Sequence, residues 1–125
     1  MLITDAINEV NLLKPNMYDD ETKIRWLSRL DGRIWETVIL THERNEGEEE
    51  IVWTPYTADE PNRELLVGEP WDEIYVRWLE AQIDYNNREY DAFNNSNAVF
   101  DAVYGDFVNA YNRSHVPLTK RKIYY

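Results

Sequence analysis

The sequence predicts a mainly α-helical protein, in which about four helices form a compact bundle. Three observations support this fold class: apolar residues recur at intervals of three and four in four segments, a turn-rich stretch at about residues 43–69 interrupts them, and the last eight residues lack helical periodicity. The stretch 43–69 is predicted to be an irregular or β-containing insertion. The length of 125 residues fits one helical domain, residues 1–117, followed by an extended C-terminal arm, residues 118–125.

The first two helices are predicted at about Thr4–Leu13 and from Asp19 or Asp20 to about Thr41. Pro15 ends the first helix because it has no amide hydrogen to donate, and either aspartate is a suitable N-cap for the second. Gly32 indicates either a close helix crossing or a tolerated surface glycine. The expected apolar faces are Ile7, Val10 and Leu13 in the first helix, and Ile24, Leu27, Leu30, Ile34, Val38 and Thr41 in the second.

The insertion begins with the polar run ERNEGEEE at residues 43–50, which contains five glutamates and one arginine. A run of this kind is typical of a solvated loop. Its spacing does not match a calcium-binding EF-hand loop, so we expect no metal site there. Ile51, Val52 and Trp53 are predicted to form a short strand that ends at Pro55.

The third and fourth helices are predicted from about Pro70 to Phe93 and from Ser96 to Arg113. Pro70 suits a first helical position, and the polar run NNSN at residues 94–97 favours a break or a kink between the two helices. Pro117 closes the helical region. The expected apolar faces are Ile74, Tyr75, Trp78, Leu79, Ile83 and Tyr85 in the third helix, and Val99, Phe100, Val103, Tyr104, Phe107, Ala110 and Tyr111 in the fourth.

The charge is distributed unevenly along the chain. The formal net charge is −11, but all 24 acidic residues precede Thr119, together with 10 of the 13 basic residues. Residues 1–118 therefore carry −14, and the last seven residues carry +3 in their side chains. An acidic body argues against nucleic-acid wrapping, which requires cations against phosphates.

Catalysis, metal binding and cofactors are not predicted. The chain has no cysteine, which excludes disulfides and thiolate sites. The histidines, His42 and His115, lie near predicted helix C-termini, where the helix dipole favours a cation. Ser114 adjoins His115, but adjacency in sequence does not establish a nucleophile, a base and an orienting acid. The carboxylate pairs Asp72–Glu73 and Asp101–Asp106 are expected by chance in so acidic a chain. No secretory signal or membrane span is expected from the sequence.

Aromatic residues are abundant, with 9 Tyr, 5 Trp and 3 Phe. Tyrosine and tryptophan suit surfaces that a partner buries while one end of the side chain stays polar. The alternative is a core made of large side chains, which we expect for most of them.

The C-terminal arm, LTKRKIYY, is the candidate binding segment. Its cations suit an acidic partner, and its last three residues suit anchors that order on binding. A frayed terminus and electrostatic docking onto the chain's own acidic body are the alternatives. The candidate site residues are Lys120, Arg121, Lys122, Ile123, Tyr124 and Tyr125.

Three stretches resemble a known family. The opening AINEVNLLKPNMYDDETKIRWLSRLD, the phrase LDGRIWETVI and the long stretch from LLVGEPWDEIYVRWLEAQIDYNN to VNAYNRSHVP resemble small proteins from the head-morphogenesis region of siphophages and prophages of Gram-positive bacteria. These are head–tail connector proteins, also called adaptor or head-completion proteins. The resemblance covers nearly the whole chain, consists of ordered helices rather than a catalytic motif, and is weakest in the acidic segment ERNEGEEEIVW.

The resemblance implies a structural role in the virion. A helical protomer would assemble under the portal as a ring of expected twelve-fold symmetry. It would be in the host cytoplasm during assembly and at the head–tail interface of the finished virion. Its arm would bind the portal protein and its other face would meet a stopper or tail-completion protein. DNA would pass through the channel without specific binding, repelled by the acidic wall. Aromatic residues would serve ring contacts, and truncation after Pro117 would leave a folded protein that does not bind portal. No catalytic residue, cofactor or membrane is implied.

Two other readings remain open on the sequence. An acidic helical protein is able to mimic DNA and inhibit a DNA-binding protein, although the basic arm interrupts that mimicry. A tail terminator or an assembly chaperone is the third possibility.

Overall fold

The structure is a computed structural model that describes residues 1–118, and within them four α-helices form the fold. Helix α1 spans Ile3–Leu13, α2 spans Asp20–Ile34, α3 spans Glu73–Asn86 and α4 spans Tyr90–Ser114. A π-helical turn, Trp35–Ile39, extends α2. The predicted mainly α fold with an irregular insertion is therefore confirmed. The predicted arm, apart from Leu118, lies outside the described residues.

The core lies between α1, α2 and α3, and α4 packs on α3. The predicted α2 face is buried from Ile24 to Val38, as are Ile7 and Val10 of α1. Three residues predicted to be buried are exposed: Leu13 ends α1, Tyr85 lies near the end of α3, and Val99 lies on α4. Helix α4 contributes few buried side chains because it rests mainly on one neighbour, so its buried face is narrow.

The start of α2 follows the sequence prediction. Asp19 precedes the helix, and its Oδ1 accepts a hydrogen bond of 2.9 Å from the Thr22 backbone amide. Hydrogen bonding from Thr22, first by its side chain and then by its backbone amide, lowers the pKa of Asp19 because it favours the ionised carboxylate. The π-helical turn then carries the chain to Leu40, whose amide donates to Trp35 O at 2.9 Å.

The break between α3 and α4 was predicted at residues 94–97, and that prediction is wrong. The chain turns at Asn87–Glu89, and NNSN lies inside α4. Glu89 N donates to Asp84 O and Arg88 N donates to Tyr85 O, each at 3.0 Å, and Arg88 has φ of 60°. This is the hydrogen-bond pattern of a Schellman motif, with arginine at the left-handed position that glycine usually occupies. The sequence therefore lacked the glycine that normally signals such an ending.

Two further local predictions, one for the insertion and one for the start of the third helix, are also wrong. Residues 51–53 form no strand, since no neighbouring strand pairs with them among the described residues, where only isolated bridges occur. Instead Trp35 Nε1 donates to Ile51 O at 2.9 Å. Pro70 does not begin α3, because it lies in a turn closed by a 3.0 Å hydrogen bond from Trp71 N to Gly68 O. The Glu69–Pro70 peptide bond is cis.

Gly32 marks a close approach, but to the insertion rather than to another helix. A Cβ atom at this position would lie 3.0 Å from the Trp53 ring, which is tighter than ordinary van der Waals contact. The glycine in α2 therefore leaves room for the indole that fastens the insertion to the helix.

A buried aspartate holds the rest of the insertion. Asp31 on α2 is fully buried. Its Oδ1 accepts a hydrogen bond of 2.6 Å from Tyr75 OH. Its Oδ2 accepts one from Tyr56 OH and another, of 3.1 Å, from Leu66 N. Tyr75 OH in turn accepts from Val67 N at 2.8 Å. Burial raises the pKa of Asp31, although the three donated bonds oppose that effect. One carboxylate thus connects α2, α3 and both ends of the segment 56–67.

Two lysines join the start of the chain to the core. Lys14 Nζ lies 2.5 and 2.6 Å from the two carboxylate oxygens of the buried Asp84. Lys23 is also buried and donates to Asn11 Oδ1 and Tyr18 O, each at 2.8 Å. Burial lowers the pKa of Lys23.

Within residues 1–118, no helix combines the length and hydropathy that crossing a membrane requires.

Candidate interaction surface

The described chain ends against a fixed edge of the helical body. After α4, Glu43 N donates to Val116 O and Leu118 N donates to Thr41 O, each at 2.8 Å. An isolated antiparallel bridge pairs His42 with Pro117. The six predicted site residues, Lys120 to Tyr125, lie outside the described residues. The last described residue, Leu118, lies beside Thr41, two residues after the end of the π-helical turn.

An open cavity of about 620 Å³ lies at this edge. One part of its wall is apolar and aromatic, formed by Ile39, Leu40, Ile51 and Tyr111. The polar part comprises His42, Glu43, Arg44, Asn45, Glu48, Glu49 and Glu50. We call this feature the acidic cavity. It combines negative charge with an apolar surface in a concave site, which is the combination that a cationic ligand with apolar groups requires.

The acidic loop 43–50 is tied to the end of α4. Asn45 Nδ2 donates to Ser114 O at 3.0 Å, and Glu48 Oε1 accepts from Asn45 N at 2.6 Å. His115 Nε2 lies 3.0 Å from the same Glu48 oxygen. The hydrogen bond from Asn45, followed by the proximity of His115, lowers the pKa of Glu48. The run predicted to be a solvated loop is exposed, but it follows a defined path over the bundle.

Both histidines help to build this edge. His42 Nδ1 lies 2.5 Å from Val38 O, its Nε2 lies 2.6 Å from Asn112 Oδ1, and its ring meets Tyr111 edge-on at 5.0 Å. Tyr111 in turn stacks on the His115 ring at 4.0 Å. Burial raises the pKa of Tyr111, and the negative charge of Glu48 adds to the effect. Both histidines lie near helix C-termini, as predicted. Their side chains make specific hydrogen bonds and ring contacts there, in addition to any interaction with the helix dipole.

Ser114, His115 and Glu48 form a hydrogen-bonded row. Ser114 Oγ lies 2.8 Å from His115 Nδ1, and His115 Nε2 faces Glu48. The row has the residue types of a nucleophile, a base and an orienting acid. Ser114, however, ends α4, where the helix presents carbonyl oxygens and the negative end of its dipole. An oxyanion would be repelled there, so the row is better explained as the tether of the acidic loop.

The carboxylate pairs considered from the sequence do not converge on a site. Asp72 lies 3.9 Å from the N-terminal amine, and Glu73 pairs with Arg77 at 2.9 Å. Asp101 and Asp106 are exposed on α4. Among residues 1–118, no cluster of three or more histidine, aspartate or glutamate side chains is placed to hold a metal ion.

Four of the five tryptophans lie in the core or pack against it, as expected for most aromatic residues. Trp26 and Trp78 are buried, with Trp78 Nε1 donating to Trp26 O at 2.9 Å, and the other three are half-buried. In the part of the chain that the structure describes, only two aromatic side chains are exposed, Tyr85 at 54% and Tyr90 at 57%. If aromatic residues of the body make contacts between subunits of a ring-shaped oligomer, those contacts would therefore centre on these two tyrosines.

Comparisons with protein families, with curated proteins and with solved structures found no significant match to this chain.

Sequence reasoning missed two features of this edge. One is the cavity, whose walls come from residues 39–51 and from Tyr111 of α4, which lie far apart in sequence. The other is the contact between Glu48 and His115, for which the sequence carried no signal beyond the presence of both residue types. The buried Asp31, in contrast, was detectable: it lies four residues after Leu27 and three before Ile34, and so on the apolar face of α2.

Proposed function

We propose that this protein is a structural connector of a tailed phage, an adaptor that assembles as a ring on the portal and links the DNA-filled head to a stopper or tail-completion protein. The proposal assigns portal binding to the segment Lys120–Tyr125. It takes the site of action as the head–tail interface of the virion, with assembly in the host cytoplasm, and a ring that matches a twelve-fold portal. It involves no enzymatic step.

The observation that carries the proposal is the place where the described chain ends. Backbone hydrogen bonds hold Val116 and Leu118 along residues 41–43, so the position to which the cationic segment is attached is fixed on the helical body. Seven further residues span up to about 25 Å when extended. That length allows the cations and tyrosines to reach a neighbouring protein while the body remains folded.

The charge of the body supports the same role. Residues 1–118 carry −14, and their acidic side chains do not gather into a metal site among the residues described. A negative wall beside a DNA channel repels phosphates and lets DNA pass without sticking. The long helix α4, which contributes only Phe100 and Phe107 to the buried set, leaves a broad surface for neighbouring subunits.

Sedimentation of the purified chain with the portal protein encoded by the same genome tests the proposal. We expect the chain to co-sediment with the portal and, when alone, to sediment as a smaller species. Weak contacts repeated around a ring should give binding that is stronger than any single contact. No co-sedimentation with the portal, together with tight binding to a nuclease or a repressor, would support the DNA-mimic reading instead.

A further inference from the structure

The acidic cavity matches the terminal segment of this chain in charge and in chemistry. Four glutamates and one arginine contribute to its wall, which gives the wall a formal charge of −3. The terminal segment, residues 119–125, carries three cations followed by one isoleucine and two tyrosines. The apolar side of the cavity, which includes Leu40 and Ile51, offers a surface for those last three residues.

The last described residue, Leu118, lies beside the cavity. Leu118 N is hydrogen-bonded to Thr41 O, between Leu40 and His42, and these two neighbours line the cavity wall. Seven residues reach up to about 25 Å. The segment is thus tethered beside the site, and a short tether of this kind gives an effective concentration in the millimolar range. A segment from another molecule reaches that level only in concentrated solution.

We propose that the acidic cavity is the docking site for the chain's own terminal segment. Lys120, Arg121 and Lys122 pair with the glutamates of the wall, and Tyr124 and Tyr125 lie against Leu40 and Ile51. A partner that binds the segment then competes with the cavity for it. This inference concerns the isolated chain, so it stands or falls independently of portal binding.

The experiment is nuclear magnetic resonance on the full chain, and it needs no partner. The first readout is the heteronuclear ¹⁵N nuclear Overhauser effect of the backbone amides of residues 120–125, which reports their order on the picosecond to nanosecond timescale. The second is the set of cross-peaks between the rings of Tyr124 and Tyr125 and the methyl groups of Leu40 and Ile51. We expect body-like values for the amides and observable cross-peaks at low salt. Both should weaken at about 1 M salt, where the Debye length falls to about 3 Å.

A matched pair of variants assigns the effect to the cavity. Glu49→Gln with Glu50→Gln removes two charges from the wall and keeps Glu48, which holds the loop. Glu64→Gln with Glu69→Gln removes the same charge from exposed positions of the insertion outside the cavity. Because the first variant removes two exposed ion pairs of ordinary strength, we expect it to lower the ratio of docked to undocked segment about three- to ten-fold. The second variant should leave that ratio unchanged.

Three outcomes overturn the proposal. One is the absence of ring–methyl cross-peaks, with terminal amides that behave alike in the wild type and in both variants. Another is an equal loss in the two variants, which means that net charge, and not the cavity, orders the segment. The third comes from an equal mixture of isotope-labelled and unlabelled chains: cross-peaks that arise only between chains mean that a second copy occupies the cavity.

Discussion

A chain that ends at Leu118 is expected to fold normally and to lose portal binding by at least about 100-fold. The buried residues of the structure lie between Ile3 and Phe107, and Leu118 keeps its hydrogen bond to Thr41, so removal of residues 119–125 leaves the core intact. On the proposed function the segment supplies two tyrosine anchors, and truncation of a single anchor in a protein interface commonly costs about 2 kcal/mol or more. Thermal unfolding checks the fold, and titration against immobilised portal measures the affinity.

A full-length control separates the segment from charge in general. The triple variant Lys120→Gln, Arg121→Gln and Lys122→Gln removes three cations from the segment. The matched variant Arg25→Gln, Arg29→Gln and Arg113→Gln removes three from exposed positions of the body. The first should weaken portal binding and reduce its salt dependence, whereas the second should change neither. If the shortened chain bound the portal as tightly as the full chain, the assignment of the segment would be wrong.

Replacement of Asp31 by alanine is expected to lower the free energy of unfolding by about 3–5 kcal/mol. Three donors, Tyr56 OH, Tyr75 OH and Leu66 N, lose their shared acceptor, and each unsatisfied buried group carries a desolvation cost. The loss also releases the insertion from α2, so its amides should exchange faster with solvent. Chemical denaturation measures the first effect and hydrogen exchange the second. Asp59→Ala, at an exposed position of the same insertion, is the control and should change stability by no more than about 0.5 kcal/mol.

The pH dependence of the same site follows from the raised pKa of Asp31. The unfolded value is near 3.8, and burial raises the folded value above it. The stability that Asp31 contributes is therefore fully present below pH 3.8 and is lost as the pH rises through the folded pKa. Asp31→Asn cannot titrate, so the stability of the wild type relative to this variant should fall as the pH rises over that window. A relative stability that rises with pH would mean that the hydrogen bonds from the three donors lower the pKa of Asp31 by more than burial raises it.

The helical framework was predictable because it depends on local periodicity and capping. The face of α2 and the Asp19 cap follow directly from the sequence, since both require only residues three or four apart. The helix break was misplaced because a non-glycine residue, Arg88, takes the left-handed position. The strand at 51–53 was predicted from β-branched and aromatic residues, but a strand requires a partner, and Trp35 supplied a side-chain donor instead.

The candidate surface was predictable in its chemistry but not in its geometry. The sequence identified the cationic segment and the acidic loop separately, as a charge contrast along the chain. The position of the acidic loop beside the end of α4 depends on contacts across about seventy residues, such as those of His42 with Asn112 and of Glu48 with His115. Contacts over such separations leave no periodic signal in one sequence. The cavity could therefore be found only from the folded chain.

Electron microscopy of the chain bound to its portal tests the central claim most directly, because it resolves the body and the terminal segment together. We predict a closed ring on the narrow end of the portal, in which density for Lys120–Tyr125 extends from the Thr41–Glu43 edge onto the portal surface. A portal without bound ring density would contradict the connector role. A ring whose contacts are made by other surfaces, while the terminal segment contacts no portal residue, would contradict the role of that segment.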